Sequence, residues 1–138
     1  MAMLAARNDE AIEYGLRALD LAEALDLPEV RVHALANVGV ARAFHGDAAG
    51  IADLEESVAI ARSLNSPELP RCLNNLGVAL GTAARVRESD EAIAEAVAAA
   101  ARFGLGQIGR FSRANRCGDL YRAGRWDEAL AESEAVLA

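Results

Sequence analysis

Apolar side chains recur along this chain with the spacing of amphipathic helices. From Asn8 to Leu25 they fall at Ile12, Leu16, Leu19, Leu21, Ala22 and Leu25, with Asp9 and Glu10 at the end where the helix dipole favours negative charge. After the turn Asp26-Leu27-Pro28-Glu29 a second helix is predicted to about Phe44, carrying Val30, Val32, Leu35, Val38 and Ala41. Pro28 can open it because a first-turn residue needs no N–H partner. His45-Gly46-Asp47 supplies a glycine stop and an aspartate able to cap the next helix, which runs to about Leu64. The same plan then repeats. A helix from Pro67 to about Ala83 is followed by a polar turn over Arg85-Val86-Arg87-Glu88, and the next helix runs from Ser89 to about Phe103. Gly104-Leu105-Gly106 breaks that helix, and a last pair covers about Gln107 to Ala123 and Trp126 to Ala138, joined at Gly124-Arg125. The expected fold is all-α, with little or no sheet.

The helices are copies of one another. Asn37-Val38-Gly39-Val40-Ala41 and Asn75-Leu76-Gly77-Val78-Ala79 differ only at Val38/Leu76, and their glycines lie 77 − 39 = 38 residues apart. A third glycine, in Arg116-Cys117-Gly118, follows 118 − 77 = 41 residues later, and Pro28 and Pro67 are 67 − 28 = 39 apart. A helical repeat of this length cannot bury its apolar face alone and does so by stacking on its neighbours. The repeat divides the chain into units of about 1–27, 28–66, 67–105 and 106–138, about three and a half helix pairs in one array. The first helix lacks an upstream partner and the last ends in Ala135-Val136-Leu137-Ala138, still apolar, so a piece of a longer protein is expected.

Asn75-Leu76-Gly77, and Gly118-x-x-Tyr121 with Gly124-x-Trp126-x-Glu128-Ala129-Leu130, resemble the tetratricopeptide repeat (TPR) family. The resemblance implies a helical-hairpin solenoid with a right-handed superhelix, in which the small first-helix glycine lets the second helix approach closely. Arg42 stands where that family usually has an aromatic residue, and the turn from Arg85 to Ser89 is long for it. The order of segments is narrower in its likeness. Gly46-Asp47-x-x-Gly50-Ile51-Ala52-Asp53-Leu54-Glu55-Glu56-Ser57, the Asn-Leu-Gly helix and Arg116 to Leu130 are similar to the C-terminal TPR region of large bacterial signalling proteins. Those proteins carry an AAA-type or NB-ARC-type ATPase with an adenylate/guanylate cyclase or a LuxR-type DNA-binding domain. The likeness implies a protein- or peptide-binding scaffold or sensor segment. The alternatives are a regulatory or oligomerisation region of a cyclase with an upstream ATPase, and a stand-alone adaptor.

Composition sharpens what is excluded. The 138 residues carry a formal net charge of −7, which disfavours direct binding to nucleic acid or to an anionic membrane. Hydrophobic content is 53% but aromatic content only 4%, so small side chains must make the helix contacts. The two cysteines, Cys72 and Cys117, sit in helical patterns rather than at framework spacings, and no leader or membrane span is recognisable, which makes the cytoplasm the expected compartment. No P-loop, G-x-G-x-x-G, H-E-x-x-H or C-x-x-C pattern occurs, and His33 and His45 have no ligand set at metal spacing. No cofactor, metal or catalytic residue is expected in this segment. Weak self-association through the apolar ends is the further expectation.

In TPR arrays the first helices line the concave surface, and the residue before the Leu-Gly pair often bonds a bound peptide backbone. The resemblance places Asn37 and Asn75 there, with Arg116 in the last unit. Helical spacing brings Arg71, Asn74 and Val78 to the same side of the third unit, and Ser112, Asn115, Asp119 and Arg122 to that of the fourth. The expectation is a polar groove in which Arg71, Arg116 and Arg122 pair with acidic groups of a protein or peptide ligand, or of another domain of the parent protein. The alternative for the asparagines is a bond between neighbouring repeats, and for the arginines a solvated face. Trp126 is read as a core anchor at the start of its helix.

Overall fold

The computed structural model describes residues 2–137, of which the side chains are described from Asp9 onward. Among these residues there are seven helices and no strand: α1 (Ala2–Ala24), α2 (Pro28–Phe44), α3 (Ala49–Ser63), α4 (Leu69–Thr82), α5 (Val86–Arg102), α6 (Gly106–Arg122) and α7 (Trp126–Leu137). Met1 and Ala138, the expected limits of the first and last units, lie outside the described residues. The chain divides into two compact units, Met1–Glu68 and Leu69–Ala138.

The helices end by one device. Among the described residues Asp26, Gly46, Asn65, Ala84, Gly104 and Gly124 have positive φ, each just past a helix, at intervals of 19 or 20 residues (46 − 26 = 20, 65 − 46 = 19). At each, the left-handed residue donates its N–H three residues back and the next residue donates five back, as in Gly46 N–H to Ala43 O and Asp47 N–H to Arg42 O, both at 3.0 Å. This is the Schellman closure, which satisfies the orphan carbonyls of a helix end. Glycine adopts that φ without a Cβ penalty and Asn and Asp tolerate it, whereas Ala84, at φ 61°, is strained.

Helix starts differ from expectation in three places. Helix α1 begins at Ala2, not Asn8, so Asp9 and Glu10 stand inside it and its first turn holds no acidic residue. Helix α5 begins at Val86, not Ser89, so the polar run expected to be a turn is the first helical turn. Ala84 has already reversed the chain, and Arg85 grips Glu88 across that first turn, with Nε to Oε1 at 2.8 Å. Helix α4 begins at Leu69 rather than Pro67: Ser66 Oγ accepts the Glu68 N–H at 3.2 Å, and Pro70 sits in the first turn, where its missing N–H costs nothing. At α3 the N-cap position is Ala48, without a side-chain capping bond, and Asp47 stands one residue earlier, its Oδ1 accepting the Ala49 N–H at 2.9 Å.

In the first unit α2 packs against α1 and α3; in the second, α6 packs against α4, α5 and α7, and α4 against α5. The pairs are antiparallel and close because small residues meet at the crossings. A Cβ on Gly39 would lie 2.7 Å from Leu54 Cγ and 2.8 Å from Gly50 O, and one on Gly50 would lie 2.5 Å from Gly39 O. At the α4–α5 crossing a Cβ on Gly77 would lie 2.3 Å from Ile93 Cγ1, and Ser89 Oγ donates to Gly77 O at 2.8 Å. Ile93 thus fills the place of Leu54, and Ser89 that of Gly50.

The third pair corrects the expected register. A Cβ on Gly118 would meet only Arg122 Nη1, at 3.8 Å, so that glycine is not at a crossing. Cys117 is: its thiol donates to Ala129 O on α7 at 3.2 Å. The repeating positions are therefore Gly39, Gly77 and Cys117, and the residues two before them are Asn37, Asn75 and Asn115, not Arg116. Neither cysteine is in a disulfide. Trp126, expected in the core, is 68% exposed.

Candidate functional site

The second unit holds a trough between α4 and α6, a cavity of about 310 Å³ lined by Val78, Gly81, Thr82, Asn115, Asp119 and Arg122. Its two walls follow from helical spacing: Val78 and Thr82 are one turn apart on α4, and Asn115, Asp119 and Arg122 lie on successive turns of α6. A neighbouring cavity of about 210 Å³ shares Gly81, Asp119 and Arg122 and extends toward Val86 and Ser89 at the start of α5. Gly81 keeps the space beside the carboxylate open, since a Cβ there would lie 3.1 Å from Ser89 Oγ and 3.5 Å from Asp119 Oδ2.

Polar groups in the trough are held from behind. Asn115 Nδ2 donates to Oδ1 of Asn74, which is buried, at 3.0 Å. Ser89, fully buried, presents its single hydroxyl proton to Gly77 O and to Asp119 Oδ2, the latter at 3.0 Å. Thr82 Oγ1 donates to Val78 O at 3.0 Å. Arg122 pairs with Asp119 Oδ1 from the rim; the arginine side chain is 73% exposed and the aspartate side chain 15%.

Of the residues read as a groove from sequence, Val78, Asn115, Asp119 and Arg122 line this one cavity, with Asn74 behind it. Asn75 is half-buried on α4, one turn before Val78. Arg71 is half-buried and already engaged in an interaction. Asn37 is exposed and belongs to the first unit. Ser112 is fully buried, its Oγ without a hydrogen-bond partner among the described residues, and so cannot face a ligand.

Arg116 departs most from expectation. In the corrected register it takes the interior-facing place of Leu76, and its guanidinium turns to α5 and α7, with Nε to Asp90 Oδ1 at 2.7 Å and Nη1 to Glu132 Oε1 at 2.5 Å. Arg125 Nη1 meets Asp90 Oδ2 at 2.9 Å, and Arg113 Nη1 meets Glu132 Oε2 at 2.8 Å. The Arg116 hydrogen bond holds the Asp90 carboxyl below its ordinary range; burial opposes this and Arg125 adds to it. The same pairing raises the Arg116 guanidinium. This network knits α5, α6 and α7 together and turns Arg116 away from the α4–α6 trough, toward a separate cavity of about 270 Å³ that it lines with Arg113, Glu128 and Glu132.

Sequence reasoning missed Gly81 and Thr82. Their signal was available, because Val78 and Thr82 share a face at i and i+4 and Gly81 follows Gly77 at the same interval. No cluster of His, Cys, Asp and Glu able to hold a metal is found among the described residues. Among the same residues no helix is long and apolar enough to cross a membrane. No protein-family model matches the chain, and no curated protein matches it.

Proposed function

We propose that this chain is a TPR-type helical-hairpin array, a segment of a larger bacterial signalling or transcription-regulating protein, and that it acts by binding a protein or peptide rather than by catalysis. The first helices of its repeats form the binding face, and the array winds as a right-handed superhelix. Occupation of that face favours one arrangement of the array over another, and the bias passes to an attached domain.

The observation that carries this reading is the trough between α4 and α6. It is polar, it sits between the first helices of two successive repeats, and its side chains are fixed by Asn74 and Ser89 behind them. The recurrence of Asn37, Asn75 and Asn115 two residues before the small residue of each crossing supports the repeat itself. At Asn115 that asparagine bonds to the neighbouring helix, so part of its work is to hold repeats together.

An immobilised array of short random-sequence peptides, probed with the purified chain, tests the proposal. Thr82→Trp fills the rim of the trough, while Arg87→Ala alters a side chain 89% exposed on α5. The expected result is a set of retained peptides lost with Thr82→Trp and kept with Arg87→Ala. Peptides kept by both variants, or none retained at all, would contradict it.

A further inference from the structure

We infer that the α4–α6 trough selects a cationic side chain, arginine or lysine, on its polypeptide partner, and that Arg122 is a stand-in occupying that seat when no partner is bound. This deepens the binding reading above and rests on it.

One N–H of Asn115 is spent on Asn74, the Thr82 hydroxyl proton on Val78 O, and the Ser89 proton on Gly77 O and Asp119. What these groups still offer to the cavity is mainly acceptors: Asn115 Oδ1, Thr82 Oγ1 and, once Arg122 leaves it, Asp119 Oδ1. Such a lining suits a donor-rich ligand, and among side chains an ammonium or guanidinium brings three or five donors and no acceptor. The fixed charge agrees, because Asp119 is largely buried and braced by Ser89, whereas its cationic partner is mostly in water.

An incoming cation would replace Arg122 at Oδ1 and release it to solvent, so the carboxylate is never left unpaired and the swap costs little. The other arginine expected to draw acidic ligands, Arg116, is held by Asp90 and Glu132. The charge preference is therefore the reverse of the one the arginines suggest in sequence. A net charge of −7 steers a basic segment toward the chain in the same sense. A polypeptide side chain rather than a free amine is favoured because the two cavities that share Gly81, Asp119 and Arg122 make a trough longer than one side chain.

The test is a set of NMR titrations of the full chain with short blocked Gly/Ser peptides that carry arginine, lysine, glutamate or norleucine at the centre, followed at the Asn115 side-chain amide and the Gly81 amide. The arginine and lysine peptides should bind, with glutamate and norleucine weaker by about tenfold or more, and Asp119→Asn should erase that preference. Arg122→Gln removes the competitor and should tighten the basic peptides by roughly two- to fivefold. If the glutamate peptide binds best and Arg122→Gln weakens it, the charge selection is wrong while the trough stands as a binding site. Shifts for no peptide of any charge would sink both. N-acetyl-arginine amide binding as tightly as the arginine peptide would show a small cation as the ligand and overturn the polypeptide assignment.

Discussion

Gly77 is the residue on which the α4–α5 packing turns. Its hydrogen occupies a space where a Cβ would lie 2.3 Å from Ile93 Cγ1, and its carbonyl accepts from Ser89. Gly77→Leu should therefore destabilise the chain by roughly 1–3 kcal/mol through overpacking, read as a lowered midpoint in urea with an unchanged slope. A midpoint equal to the parent's would mean that the crossing lies elsewhere. The role of this residue was legible because Asn37 to Ala41 and Asn75 to Ala79 repeat almost letter for letter. The third copy misled, since Gly118 stands beside the residue that makes the contact. A cysteine is small enough for the crossing and can donate its thiol proton there, so side-chain size and not glycine identity was the signal. The pattern Asn-x-small at Asn37, Asn75 and Asn115 contains the right register. Trp126 failed for a different reason: aromatic size says how much surface a side chain can bury, not whether a neighbour is present to cover it.

At the scale of elements, helix existence follows from apolar periodicity and helix ends from the left-handed residue that closes each turn. Gly46, Gly104 and Gly124 announce those ends in sequence; Ala84 does not, and the start of α5 was accordingly expected three residues late. What periodicity cannot supply is the direction of a charged side chain near the boundary of a face. Arg116 lies there, and its choice of Asp90 and Glu132 depends on carboxylates delivered by α5 and α7. Asp90 accepts from both Arg116 and Arg125, so Asp90→Asn should cost about 1–2 kcal/mol by taking from each guanidinium one of its two carboxylate partners, the others being Glu132 and Glu128. Because the folded-state pKa of Asp90 is depressed below its ordinary 3.8, its contribution is present above about pH 4 and is lost as the pH falls through the folded value. Stability measured from pH 6 downward should fall more steeply for the parent than for Asp90→Asn once below about pH 4. Parallel curves would show that this carboxylate carries no linked stability.

For the molecule as a whole, the proposed binding function belongs to one face, the one made by α4 and α6 in the second unit. Sequence spacing gathers Val78, Asn115, Asp119 and Arg122 there, but the sign of the charge that face presents emerges only when each donor and acceptor is assigned a partner. The most direct measurement places a photo-reactive benzophenone side chain at Thr82 in one sample and at Arg87 in another, and cross-links each to a peptide retained by the chain on the array. The cross-link should form from Thr82, on the rim of the trough, and map to residues flanking an arginine or lysine of the peptide. A cross-link formed equally well, or better, from Arg87 would contradict the account.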